Sequence, residues 1–332
     1  MSHEVASRSI ADGALARIRA QLAVPARIAD RYVLSGLLGR GGMGEVHRAV
    51  DERLGREVAI KLLAREASAA VNAERLLRES RILARLEHPG IVAIHDAGLL
   101  EDGRAYYVMR LIDGARLDEH ARSGISRSEL LRTLRRVAEA VAFAHGQGIV
   151  HRDLKPGNVM IGRFGEVLVL DWGVAKPLGE ASPTPSAPGP SIVNVESAMD
   201  APRDLTAAGT AVGTPGYMAP EQAAGAAVDA RADVYSLGVM LREALEVHAD
   251  PVPRALRAVV TRATDPEAGH RYPDVLALAE DLRRWLDGEP VSAHHEGPFE
   301  VAWRFARRHQ VAILLLLTYA VVRTVILIWR GI

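Results

Sequence analysis

The sequence predicts an α+β fold of two lobes, a small sheet-rich lobe followed by a mainly helical one, with an apolar helix at the C-terminus. Three observations carry this. Short β-like segments with period-2 alternation fill residues 32–111. After Gly114 the spacing becomes helical, opened by a capping box at Ser126-Arg127-Ser128-Glu129. Residues 311–329 are almost continuously apolar. At 332 residues the chain suits one two-lobed domain with tails.

The elements follow in order. Within an N-terminal extension, residues 1–30, Ile10, Ala14, Ile18 and Leu22 recur four apart and predict a short amphipathic helix. Segments Tyr32–Leu38, Val46–Val50, Glu57–Leu63, Ile91–Ala97 and Ala105–Leu111 are the expected strands, with one helix over about 69–86; together they make a first lobe, 31–112. In the second lobe, 113–287, the capping box starts a helix running to about Gln147, with Ile125 and Leu130 placed as a hydrophobic staple. Further helices are expected near 220–225, 230–246, 253–264 and 273–287. Between them, residues 177–210 hold Pro177, Pro183, Pro185, Pro188, Pro190 and Pro202 among Ser, Thr, Gly and Ala. Such a tract cannot build a packed core, and a long disordered loop is expected.

Composition excludes several classes. Forty-one basic residues balance forty-one acidic ones, giving no support to a nucleic-acid binder. The absence of cysteine rules out disulfide frameworks, thiol catalysis and cysteine zinc sites. The paired His294 and His295 and the scattered histidines have no metal-ligand spacing. Residues 1–30 lack the apolar run of a signal peptide. Val311 to Trp329 has the length of a transmembrane helix, and the cluster Arg304, Arg307, Arg308 and His309 in the linker 288–310 would keep the preceding domain in the cytoplasm. A single-pass protein of the inner (plasma) membrane is therefore expected, with Arg323 snorkelling to the far interface from about 9 Å, and no external sensor domain after Trp329.

The chemistry-bearing residues lie in four places. Gly39-Arg40-Gly41-Gly42-Met43-Gly44-Glu45-Val46 puts glycines between two strands rather than between strand and helix. That makes a hairpin flap whose amides approach phosphates, not a dinucleotide fingerprint. On the next strand, Val58-Ala59-Ile60-Lys61 alternates so that Ala59 and Lys61 share one face, opposite Val58, Ile60 and Leu62. Small Ala59 leaves room for a flat base while Lys61 reaches its phosphates. Leu76, Glu79, Leu83 and Leu86 share one helix face, so Glu79 is an acid on an apolar face and the expected partner of Lys61. Finally, His151-Arg152-Asp153-Leu154-Lys155-Pro156-Gly157-Asn158 is followed thirteen residues after Asn158 by Asp171-Trp172-Gly173. An acid to orient a hydroxyl, a lysine for phosphate, and an amide plus a second acid for magnesium are what phosphoryl transfer requires.

Over residues 31–287 these motifs, in this order, resemble a bacterial eukaryotic-like (Hanks-type) serine/threonine protein kinase. The resemblance implies a two-lobed protein-kinase fold, with ATP and Mg2+ as cofactors and protein Ser/Thr hydroxyls as substrates. It implies that Asp153 orients and deprotonates the hydroxyl and that Lys155 steadies the transferring group. Asn158 and Asp171 would hold magnesium, and the Lys61–Glu79 pair would align phosphates. Lysine two residues after Asp153 favours Ser/Thr over Tyr. Adenine would lie among Leu38, Val46, Ala59 and Met160, behind the gatekeeper Met109, and be read by Arg110, Leu111 and Ile112. Gly39, Gly41, Gly42 and Gly44 would cover the phosphates. The segment Gly213–Glu221 would end the activation segment, Thr214 lining the acceptor site and Glu221 pairing with Arg271. Asp233 would hold the catalytic-loop backbone. Arg152 would receive a phosphate from Thr206 or Thr210 after autophosphorylation, which a homodimer would serve in trans. Three departures stand out: Trp172 replaces the usual phenylalanine, the Pro/Ser insertion lengthens the activation segment from Asp171 to Glu221, and the short stretch from Asp233 to Arg271 leaves little room for a substrate-docking helix.

Overall fold

The computed structural model describes residues 26–41, 44–63, 80, 84, 86–172, 176–177, 216–298, 300–302 and 309–329. The predicted helix at 9–22, nearly all of 69–86, and the Pro-rich tract beyond Pro177 lie outside the described residues. The chain divides into two compact units, one comprising residues 1–84, 93–112 and 202–205, the other 85–92, 113–201 and 206–332.

The first unit is an antiparallel sheet of six strands: β1 (Arg27–Ile28), β2 (Tyr32–Gly41), β3 (Gly44–Asp51), β4 (Arg56–Leu63), β5 (Ile94–Leu99) and β6 (Ala105–Arg110), in the order β1-β2-β3-β4-β6-β5. The alternation in β4 sorts its side chains as expected. Val58, Ile60 and Leu62 join Ile28, Tyr32, Ala49, Tyr106 and Val108 in one core, which excludes Ala59 and Lys61. The strand predicted from Ile91 begins instead at Ile94, because Ile91 makes a parallel bridge to Val169 in the second unit's own fold. Asp51 anchors the β1 end of the sheet: both its oxygens accept from Arg31 at 2.8 Å, and the Arg53 and Leu54 amides add to them.

The second unit is mainly helical, with α1 (Leu117–Arg122), α2 (Arg127–Gly146), α3 (Pro220–Ala223), α4 (Arg231–Glu246), α5 (Arg254–Ala263), α6 (Val275–Leu286) and α7 (Gln310–Trp329). Ser126 caps α2, its hydroxyl accepting from the Glu129 amide at 3.2 Å. Leu130, Leu134, Val137, Val141 and Ala144 form the buried stripe of α2. Five short strands that the sequence pattern did not signal thread between the helices: β7 (Gly114–Arg116), β8 (Ile149–Val150), β9 (Val159–Gly162), β10 (Val167–Val169) and β11 (Lys176–Pro177). They pair as β10-β9-β7 and β11-β8, so Pro177 belongs to a strand rather than to a disordered tract. Gly238 lets α4 and α5 touch, since a Cβ there would come within 2.6 Å of the Ala263 methyl. Packing also runs past the expected domain end at 287. Asp281, buried, accepts from the Ser292 amide at 2.6 Å, the Ser292 hydroxyl at 2.9 Å, the Ala293 amide at 3.1 Å and the Tyr272 hydroxyl at 2.7 Å.

The C-terminus corrects the transmembrane expectation. Helix α7 covers the predicted segment, but among the described residues no helix is long and apolar enough to cross a membrane. The charge-free part of the apolar run, Val311 to Val322, is twelve residues, about 18 Å of helix against a hydrocarbon core of about 30 Å. Arg323 then interrupts it, at a cost of about 2.5–3.5 kcal/mol for a charge at the bilayer centre. The anchoring inferred from that span loses its basis.

Candidate active site

In the first unit the strand register builds one face. Gly39, Val46, Lys61 and Tyr107 are successive cross-strand neighbours across β2, β3, β4 and β6, and Arg48, Ala59 and Met109 form the next row. Lys61 is buried, with its ammonium 5.9 Å from the centre of the Tyr107 ring. The β2–β3 hairpin closes with Gly41 opposite Gly44. Gly44 is required there: its φ is +140°, and a Cβ would fall 1.9 Å from the Leu62 carbonyl oxygen. Leu38 sits at an irregularity of β2 and is exposed. Met109 and Arg110 end β6, the Arg110 amide donating to the Ala93 carbonyl at 3.2 Å, and Ile112 closes this unit. Gly42 and Glu79 lie outside the described residues, so the expected Lys61–Glu79 pair does too.

The second unit assembles the acid-bearing loop between β8 and β9. Asp153 receives the Lys155 ammonium at 3.2 Å. The Asn158 side-chain amide donates to the Asp153 carbonyl at 2.8 Å and to its carboxylate at 3.2 Å. Asn158 in turn accepts the Leu170 amide on its carbonyl at 2.8 Å, which ties the loop to the residue before Asp171. Both Arg152 and Asp171 adopt positive φ, +68° and +56°. For residues with a side chain such backbone is strained and must be held from outside.

What holds Arg152 is Asp233 on the first turn of α4. This carboxylate is fully buried and accepts the His151 and Arg152 amides at 2.8 Å each and the His145 imidazole at 2.7 Å. Burial alone would raise its pKa, but the His145 hydrogen bond, both imidazoles and the Arg152 amide hold it below the ordinary carboxylate value. The Gln222 side chain donates to the Arg152 carbonyl at 2.7 Å from the other side. Trp172 is buried with its ring 4.6 Å from that of His151, so the larger aromatic is accommodated. His145 and Gln222 were not anticipated. The available signal was a histidine on the last turn of α2, beside its apolar stripe.

Below this loop Arg271 spends all five guanidinium donors. It pairs with both Glu221 oxygens at 2.7 Å and reaches the Asp265, Arg231 and Pro266 carbonyls at 2.7, 3.0 and 3.1 Å. Burial would raise the Glu221 pKa, and Arg271 more than reverses this. The connection from α4 to α5, residues 247–253, contains no helix and is pinned by Arg127, which donates to the Asp250 and Pro251 carbonyls at 2.7 and 3.3 Å. Among the described residues no group of three His, Cys, Asp or Glu side chains could hold a metal ion. Asn158, buried, and Asp171, half-buried, carry an amide oxygen and a carboxylate, the oxygen donors that magnesium takes. Met160, half-buried on β9, lies in this unit, while Leu38, Val46 and Ala59 lie in the other.

Residues 32–255 match the family model of the protein kinase domain. The probable serine/threonine-protein kinase SCO3848 of Streptomyces coelicolor is 36% identical over 306 residues, covering 81% of this chain and 42% of that protein. The serine/threonine-protein kinase PknB of Mycobacterium tuberculosis is 34% identical over 307 residues, covering 82% of this chain and 45% of that one. The chain therefore spans less than half the length of these relatives. The crystal structure of the M. tuberculosis PknI kinase domain aligns with a TM-score of 0.57 at 26% identity, over 79% of this chain and 99% of that one.

Proposed function

Because the chain belongs to the protein kinase domain family, we propose that it is a serine/threonine protein kinase acting on protein hydroxyls. The observation that carries this is the Asp153–Lys155–Asn158 cluster on a loop whose backbone Asp233 grips. Magnesium-bound ATP supplies the transferable γ-phosphoryl group. The substrate oxygen forms a bond to phosphorus as the bond to the ADP oxygen breaks, and Asp153 takes the hydroxyl proton. Lys155, within 3.2 Å of Asp153, balances negative charge there and on the phosphoryl group. Asn158 spends its side-chain N–H on Asp153, so its amide oxygen, with the Asp171 carboxylate, would hold magnesium, which would neutralise phosphate charge. Lys61 and the Gly39–Gly44 hairpin orient the phosphates, and Ala59, Val46 and Met109 supply the apolar wall for adenine. Autophosphorylation at Thr206 or Thr210 fits this reading through the buried positive charge of Arg152 beside Asp153.

The test is transfer of radiolabelled γ-phosphate by the full chain with magnesium and a general protein substrate, beside Asp153→Asn. Label on Ser or Thr in the wild type, with at least a ~100-fold loss in the variant, is expected. Intact nucleotide binding without transfer in either protein would replace the kinase by a nucleotide-binding scaffold.

A further inference from the structure

A groove of about 560 Å³ runs beside α5, walled by Arg254, Arg257 and Thr261 on that helix and by Ala293 and His294 after α6. Elsewhere in this unit arginines sit on carboxylates: Arg271 on Glu221, Arg283 on Glu280, Arg163 on Asp113. The groove is different. Among the described residues neither Arg257 nor Arg262 has a carboxylate within ion-pair distance. Arg257 donates to the Val252 carbonyl at 3.3 Å, and Arg262 to the Ser292 hydroxyl at 3.1 Å while stacking 4.4 Å above Tyr272. Arg254, largely exposed, reaches Glu300 only at 3.9 Å.

The sequence of α5 concentrates this charge. Arg254 and Arg257 are three apart and Thr261 four further on, so they line one face. The first turn carries no acid, so the positive end of the helix dipole adds to the arginines instead of being cancelled. Asp265 is the acid in the lining. At the rim a carboxylate already sits in this field. Glu300 accepts the Gly297 amide at 3.1 Å and the His294 imidazole at 3.0 Å, and these bonds hold its carboxyl below the usual range. The groove thus seats one carboxylate at its edge and has two further guanidinium groups facing only neutral acceptors.

We propose that this groove docks an acidic segment of the protein substrate, Arg254 and Arg257 pairing with its Asp or Glu side chains; the identity of the partner rests on the kinase reading above. Docking of this kind lowers the KM for protein substrates that carry an acidic run and leaves the phosphoryl-transfer step untouched.

The experiment compares two peptides with the same Ser/Thr acceptor, one extended by a run of Asp and Glu. It uses the full chain and its Arg254→Gln/Arg257→Gln variant, with Arg262 kept for its packing on Tyr272. The acidic extension is expected to lower KM by about tenfold at low salt with kcat unchanged. The double variant loses that difference while its KM for ATP and its Tm stay put, and about 0.5 M salt erases it in the wild type. Equal KM for both peptides in the wild type, or a preference that survives the double substitution, overturns the proposal. Fluorescence anisotropy of the labelled acidic segment alone separates the two readings. Should neither peptide be phosphorylated, the kinase reading fails. Salt-sensitive binding abolished by the substitutions would still uphold the groove, and no binding would sink it.

Discussion

Replacing Asp233 by Asn removes one charge and one acceptor at the point where α4 grips the catalytic loop. Three donors converge on the carboxylate at 2.7, 2.8 and 2.8 Å: the His145 ring, the His151 amide and the Arg152 amide. An asparagine offers one oxygen where two stood. If that oxygen takes the place facing His145 and His151, its NH2 confronts the Arg152 amide. In the other orientation the NH2 confronts the His151 amide. Either way one buried backbone N–H loses its acceptor, at about 1–3 kcal/mol, and the surviving bonds lose their charge assistance, about 1 kcal/mol each. The sum is about 3–5 kcal/mol, which lowers Tm by about 10 °C for a unit of this size.

The same substitution reaches the chemistry through Arg152. Its backbone, at φ +68°, is held on one side by Asp233 and on the other by Gln222. Releasing one side lets the strained residue relax, a conformation worth about 1–3 kcal/mol, and carries the adjacent Asp153 with it. A shift of about 1 Å in a reacting group costs on the order of 100-fold in rate. Thermal unfolding by circular dichroism and steady-state transfer assays measure the two effects separately. A variant with Tm within about 2 °C of wild type and unchanged kcat would refute the idea that this carboxylate fixes the loop.

Two smaller perturbations address the sheet. Gly44→Ala places a methyl 1.9 Å from the Leu62 carbonyl at a φ of +140°, so the hairpin must leave β4; calorimetry is expected to show ATP affinity weakened at least ~10-fold, and unchanged affinity would disprove the contact. Asp51, held at a pKa of about 2 by Arg31 and the Leu54 and Arg53 amides against its burial, contributes stability that is present above the ordinary carboxylate pKa of about 3.9 and lost as pH falls toward 2. Urea unfolding between pH 4 and pH 2 is expected to show this slope flattened in Asp51→Asn, and equal slopes in both proteins would exclude Asp51 as its source.

Which parts were legible follows from where the physical constraint resides. The Val58–Lys61 alternation and the Ser126 cap are side-chain choices forced by local geometry, and both reappear in the structure. The strands β7 to β11 are two to four residues long, too short for any periodicity to rise above composition. At the C-terminus apolar content outweighed placement: α7 formed as expected, but Arg323 leaves too short a charge-free run to span.

The candidate site divides in the same way. Asp153, Lys155, Asn158 and Asp171 announce themselves because their chemistry permits few substitutes at that spacing. The side chains that fix Asp153 in place mostly grip main-chain atoms of its loop, which no sequence pattern marks as targets. The Asp233 side chain is named by resemblance alone; that it meets two amides more than eighty residues away is a property of the folded chain. His145 and Gln222 go unannounced for a related reason. A histidine beside an apolar stripe or a glutamine two residues after a proline has many structural uses, and only the buried acceptor opposite each one selects among them. A site of this kind shows its reactive groups in the sequence and keeps its rigidity in the backbone, so mutational loss at Asp233 or Gln222 tests the fold's contribution to catalysis more directly than loss at Asp153 does.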